Sequence, residues 1–219
     1  MPENALFSYR TPEPGKTLFD PQNQLWEKCE IATIDRYWNG KSALLEKGYN
    51  WANLTHVRSL WNEHHVFFYF ESWFDSLNVD SEWGTESATE GLWNKDVVEV
   101  FLRPGKATNY FEIDASPLGQ WMDLRILKPR EEVDLRWNSN LELETVLNKD
   151  ECIWRAFLGL SFQSMRKSPP EVGEAWRVNL YRIAGKEPDR EYLAWRPTFT
   201  EQPDFHRPSA FGHLIFLDD

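Results

Sequence analysis

This chain is poor in cysteine, has no long apolar run and carries no basic cluster. Only two cysteines, Cys29 and Cys152, occur in 219 residues. They lie far apart and form no CxxC pair, so no cysteine metal site is indicated. Both fall in apparent strands, where a free cysteine serves as a small buried hydrophobe. A single bridge between them stays open. No segment approaches the roughly 20 apolar residues that span a bilayer. The opening Met1-Pro2-Glu3-Asn4 has no basic region followed by an apolar run, so no signal peptide is visible. Basic clusters are also missing. Lys and Arg number 24 against 35 Asp and Glu, a net charge of −11. Without a basic face there is nothing to track phosphates, which argues against nucleic acid and an anionic membrane surface. No Ser/His/Asp set, phosphate-binding glycine loop or EF-hand spacing stands out.

Aromatic residues, by contrast, are abundant. Twelve Trp, fourteen Phe and seven Tyr make 15% of the chain. Large aromatics supply core and interface area. A core of this size does not need all twelve Trp, so some are expected to line a surface or cleft.

Helical periodicity is almost absent, and about ten or eleven short strands are expected. The centre of the chain, residues 92–123, reads as three strands joined by two turns. Val98, Val100 and Leu102 alternate with Glu99, Phe101 and Arg103. Phe111, Ile113 and Ala115 alternate with Tyr110, Glu112 and Asp114. Met122, Leu124 and Ile126 alternate with Trp121, Asp123 and Arg125. Pro104-Gly105 and Pro117-Leu118-Gly119 supply the turns.

If these strands are antiparallel hairpins, the apolar sets share one face. Glu99, Glu112, Asp114, Asp123, Arg125 and Trp121 then share the other. A simple register sets Glu99 opposite Asp114. Like charges opposite one another destabilise a sheet, so Arg125, a cation, a raised pKa or a polar ligand is expected to compensate. A solvated outer face is the plain alternative.

The other segments follow in order. Residues 1–24 read as an N-terminal arm over the body, with one edge strand. Residues 26–34 read as a strand. The connection that follows carries Tyr37, Trp38, Tyr49 and Trp51, read as loop staples or as part of a binding edge. Residues 55–61 and 65–74 form a pair around the turn 62–64. Val66-Phe67-Phe68-Tyr69-Phe70 is the near-continuous run of a strand covered on both faces. Residues 75–91 form a long acidic loop whose oxygens could hold Ca²⁺. Further strands are read at 141–147, 152–162, 176–183, 191–195 and 211–216, with residues 161–165 read also as one helical turn. The pattern is that of an all-β sandwich or barrel, with a single domain over residues 25–219.

With these segments placed, the sequence resembles the carbohydrate-binding module family 9-like domains. The resemblance is carried by Trp93-Asn94-Lys95-Asp96-Val97-Val98-Glu99-Val100-Phe101, by Tyr110-Phe111-Glu112 and by Ser116-Pro117-Leu118-Gly119. It returns in Trp176-Arg177-Val178-Asn179-Leu180-Tyr181-Arg182-Ile183, in Trp195, and in His206-Arg207-Pro208-Ser209-Ala210-Phe211-Gly212.

It implies an immunoglobulin-like β-sandwich of about ten antiparallel strands that binds a mono- or oligosaccharide without cutting it. Trp93 and Phe205 would grip the ring, and Glu99 and nearby polar groups would bind hydroxyls. Asp96, Glu112, Asp114, Asp123, Arg125 and Trp195 complete the expected contact set. No cofactor is required, although Ca²⁺ occurs in family structures. An extracellular or periplasmic setting, in a larger glycan-processing assembly, is implied as well. Three departures stand out. Glu112 occupies a place where binders carry a cation, Phe205 replaces the usual Trp, and Tyr181 stands where an amide can occur.

Other functions fit the same residues. Glu99 with Asp114 or Glu112 has the make-up of a glycoside hydrolase's acid pair. Met122 with a histidine could ligate haem in a related sandwich. The aromatic surface could instead receive a protein partner.

Overall fold

The computed structural model describes residues 4–46, 52–166 and 168–218. Tyr49 and Trp51, two of the loop aromatics singled out above, lie outside the described residues. Fourteen strands occur among the described residues. They are β1 (Ala5–Arg10), β2 (Ala32–Ile34), β3 (Arg36–Tyr37), β4 (Thr55–Trp61), β5 (His65–Trp73), β6 (Val97–Arg103) and β7 (Tyr110–Ala115). Next come β8 (Trp121–Lys128), β9 (Glu132–Asp134), β10 (Glu142–Asn148), β11 (Ile153–Ser161), β12 (Ala175–Ala184), β13 (Glu191–Ala194) and β14 (Gly212–Leu217).

They join in the order β10-β11-β5-β4-β1-β14-β12-β6-β7-β8-β9, with β2, β3 and β13 attached at the side. This long sheet folds over on itself. Val57, Phe68, Phe70, Trp154 and Leu158 from one wing pack with Val98, Val100, Ile113, Val178 and Leu180 from the other. That shared core makes the sandwich. The strand count exceeds the expected ten or eleven because the short strands β3 and β9 and the arm strand β1 add to it.

The outer face of the first wing has its own cluster. Phe67 and Tyr69 turn outward, while Val66, Phe68 and Phe70 turn inward, so β5 is apolar on both faces, as its sequence suggests. Trp26, Leu18 and Phe157 cover the outward pair. Trp26 does not lie in a strand. It sits in a 3-10 turn, Gln24–Lys28, which Asn23 caps by accepting a hydrogen bond from the Leu25 amide at 3.0 Å. Its indole donates to the Leu18 carbonyl at 2.8 Å.

Two further expectations change. The strand in the N-terminal arm is not at an edge. β1 lies between β4 and β14 and runs parallel to both, so the sheet is mixed rather than wholly antiparallel. Cys152 is exposed in the turn before β11 at φ 55°, not buried in a strand, while Cys29 is buried; both are free thiols.

The central hairpins carry the acids. Glu99 does pair with Asp114, and Val100 with Ile113. The third strand, however, has the opposite phase. Ile113 pairs with Asp123 and Glu112 with Leu124. Five residues, 116–120, connect β7 to β8, closed by the Ser116 amide bonding the Gln120 carbonyl at 2.9 Å. This loop length sets the register, and a shift of one residue exchanges the faces. Met122, Leu124 and Ile126 therefore flank the acids, and Asp123, Arg125 and Trp121 look the other way.

The reversed phase is stable because residues 134–139 cover that other side. The Ser139 amide donates to Asp123 Oδ2 at 2.6 Å, and Arg125 pairs with Asp134 at 2.7 Å.

Candidate functional site

The outer face of the second wing, formed by β6, β7, β8 and β12, holds a third cluster. It contains Phe101, Tyr110, Leu124, Ile126, Tyr181, Ile183 and Phe205, with Trp93 and Tyr192 packed at its margin. A cleft of about 420 Å³ opens on this face. Trp93, Tyr192, Phe205 and Pro203 wall it, Leu124, Ile126 and Ile183 line it, and Glu99 and Glu112 reach it from the sheet. Val133 and Leu135 stand exposed at its rim. Apolar walls with a few convergent polar groups are the usual make-up of a small-molecule site.

The acids beneath the cleft are its unusual feature. Glu99 is 2% exposed, Glu112 4% and Asp114 0%. Glu99 Oε2, Glu112 Oε2 and both Asp114 oxygens have no hydrogen-bond partner. Water no longer solvates these carboxylates, and burial disfavours their charged form. Burial first, and then the charge of Glu112, holds Glu99 well above the ordinary carboxylate range, with Arg190 opposing. Burial raises Glu112 to about 8, against the pull of Arg130. Asp114 is raised by burial and then by Glu99, Glu112 and Asp123. The Glu99–Asp114 pairing is thus tolerated because the acids keep their protons.

His206 completes the polar end. Its Nδ1 is 2.7 Å from the Tyr110 hydroxyl, and its Nε2 is 3.7 Å from Glu112 Oε2. Burial, helped by Arg130, lowers His206 to about 4. Between about pH 4 and 8 both partners are mainly neutral, so this contact is not an ion pair. Arg130 is bound to Asp204, which also accepts the His206 amide at 3.0 Å. Arg190 donates to the Trp93 carbonyl and lies over the Tyr192 ring, 5.1 Å from its centroid.

Phe205 is held from behind. Its ring stacks on Tyr181 with centroids 3.9 Å apart and planes at 10°. The Tyr181 hydroxyl donates to the Phe205 carbonyl at 3.1 Å and accepts from Asn179 Nδ2 at 2.7 Å. Asn179 also bonds both the amide and the carbonyl of Arg196, each within 3.0 Å, which ties the segment after β13 to β12.

Of the nine expected contact residues, four lie on the cleft: Trp93, Glu99, Glu112 and Phe205. Asp114 lies behind them on the same face. The other four are elsewhere. Asp123 and Arg125 are on the far face, for the register reason given above. Trp195 packs in the inter-wing core, its ring filling the space where a Cβ on Gly212 would stand. Asp96 is fully buried, pairing with Arg182 at 2.9 Å and accepting the Gly185 amide at 2.7 Å.

Arg130, Arg190, Tyr192 and His206 also line the cleft. The first two sit in turns, where no periodicity marks them. His206 is flagged only by its place in the closing motif. In the acidic loop, Asp80 pairs with Lys95 at 3.2 Å. Among the described residues no group of three or more His, Cys, Asp or Glu side chains is arranged to hold a metal ion.

This geometry has relatives. The structure aligns with a candidate carbohydrate-binding protein from Bacteroides uniformis over 97% of this chain and 99% of the other, at a TM-score of 0.76 and 16% identity. A carbohydrate binding module family 9 protein from Caldicellulosiruptor kristjanssonii, in complex with cellotriose, aligns over 98% and 94%, at 0.64 and 12%. A carbohydrate binding module family 9 protein from the same organism, in complex with glucose, aligns over 98% and 96%, at 0.65 and 12%. At these identities the likeness is one of fold, and it is that of a family 9 β-sandwich.

In sequence, the chain is 31% identical over 131 residues to the UPF0462 protein C4orf33 homolog of Rattus norvegicus. It is 30% identical over 133 residues to UPF0462 protein C4orf33 of Homo sapiens. Each match spans 57% of this chain and 61% of the relative's length. The family model for carbohydrate-binding family 9 matches residues 78–216, which include every cleft residue named above. The chain belongs to carbohydrate-binding family 9.

Proposed function

We propose that this protein binds a mono- or oligosaccharide in the cleft and does not cleave it. The observation that carries the reading is the meeting of aromatic walls with buried, unpartnered carboxyls in one cleft. A pyranose has an apolar C–H face and a rim of hydroxyls. Trp93 and Phe205 supply apolar surface for the first, and Glu99 and Glu112 supply unsatisfied oxygens for the second. The glucose and cellotriose complexes of the Caldicellulosiruptor proteins support the same ligand class.

A hydrolytic role is disfavoured by the acids themselves. A glycosidase needs one ionised and one protonated carboxyl flanking the bond. Here Glu99, Glu112 and Asp114 all favour the protonated form, and Asp114 is sealed from the cleft. Calorimetric titration with glucose, cellotriose and a panel of other sugars tests the proposal. Saturable heat with at least one sugar, and no new reducing ends released, is the expected result. An absence of heat with every sugar, or turnover of any, would sink it.

A further inference from the structure

The cleft presents more acid than a neutral sugar requires. Glu99 and Glu112 line it, each with one carboxyl oxygen that is buried and has no hydrogen-bond partner, and Asp114, paired with Glu99 but sealed from the cleft, has two more. The positive groups nearby are engaged. Arg130 is bound to Asp204 and Arg190 donates to the Trp93 carbonyl, while His206, lowered to about 4 and so neutral at pH 7, is hydrogen-bonded to Tyr110. Tyr181 spends its hydroxyl on Phe205. Among the described residues no Lys or Arg forms an ion pair with Glu99, Glu112 or Asp114. Fully ionised, the three acids would carry −3 against the one uncompensated charge of Arg190.

Buried carboxylates are tolerated when they are paired. A hydroxyl offers one donor and no charge. An ammonium offers three donors and a full positive charge, and charge-assisted hydrogen bonds are the stronger kind. We propose that the cleft prefers a sugar carrying a free amine, a hexosamine unit, and seats its ammonium against Glu99 and Glu112. This rests on the sugar-binding reading above and adds the chemical class of the sugar. Seating the cation ionises acids that are otherwise protonated, so binding releases protons to the buffer.

Calorimetry at pH 7 with glucosamine, N-acetylglucosamine and glucose tests the preference. Each titration is run in two buffers of different ionisation heat. Glucosamine is expected to bind at least tenfold more tightly than glucose, about 1.4 kcal/mol. Acetylation, which removes the charge, should abolish the advantage. The apparent heat for glucosamine should differ between buffers. Glu99→Gln and Glu112→Gln should each narrow the gap between the two sugars. The wild-type comparison stands alone if either variant fails to fold. Glucose binding as tightly as glucosamine overturns the preference and leaves the sugar site intact. No binding by any sugar of a wider panel overturns both.

Discussion

Each acid in the cleft trades solvation for position, and that trade has a pH signature. Glu112 is raised from 4.5 to about 8 in the folded protein. Between those values the native state holds a proton that the unfolded chain has lost, so stability falls as pH rises. Glu99 and Asp114, also raised, act in the same direction. His206 acts in the other direction. Lowered from 6.5 to about 4, it makes stability rise with pH across that interval. The two slopes oppose one another up to about pH 6.5, and above it the carboxyl slope is left alone. Thermal melts should therefore show the melting temperature falling from about pH 6.5 to about 8. Glu112→Gln should flatten that fall. A wild-type melting temperature that rises over this interval would contradict the account.

At this scale the sequence was informative where alternation spoke and silent where loops did. Glu99 and Asp114 could be paired by counting from a turn, and Trp93 and Glu99 by their motif. Arg130 and Arg190 could not be found, because a turn residue's direction depends on a backbone that no period reports. The place of Asp96 is not legible for a different reason. A motif aspartate looks the same whether it faces a ligand or a buried arginine.

Among the elements, the register of β8 and the lock between β6 and β12 matter most. The phase of β8 was not legible, because both of its faces are covered and its alternation names no inside. The five-residue connection decides it, and only the structure shows that connection's length. The lock is clearer. Asp96 and Arg182 form a fully buried pair that also holds the Gly185 amide, joining the start of β6 to the end of β12. Breaking a buried pair leaves an uncompensated charge and costs about 3–5 kcal/mol. Asp96→Ala should lose about that much in denaturant unfolding. A loss below about 1 kcal/mol would mean the pair is not holding the strands.

β14 is packed as tightly. A Cβ on Gly212 would stand 2.6 Å from the Trp195 ring and 2.8 Å from the Asn4 carbonyl. One of these contacts is backbone and cannot swing away. Gly212→Ala should destabilise by about 1–3 kcal/mol through overpacking, read by the same unfolding curves. An unchanged midpoint would count against the close approach of Trp195.

For the molecule as a whole, β1 is the strand that joins the two wings into one sheet among the described residues. It hydrogen-bonds β4 on one side and β14 on the other. Residues 1–24, rich in Pro, Glu, Asn and Ser and without periodicity, suggest an arm with one edge strand, and nothing local in that sequence reports two partners that are remote along the chain. The sandwich itself was legible, because many short alternating strands with turn residues between them leave few other architectures. Deleting residues 1–10 should remove cooperative unfolding, since Leu6 leaves the inter-wing core and both flanking strands lose their partner. Cooperative melting of the truncated chain near the wild-type temperature would contradict a joining role for β1.

Trp93 at the wall of the cleft allows a direct measurement of sugar binding there. Tryptophan fluorescence would be followed while glucose, cellotriose and glucosamine are titrated into the wild type and Trp93→Ala, with circular dichroism confirming that both are folded. The account predicts a saturable change in the wild type that is lost in the variant. A saturable change that survives in Trp93→Ala would place binding elsewhere, and no change with any sugar in the wild type would contradict the claim outright.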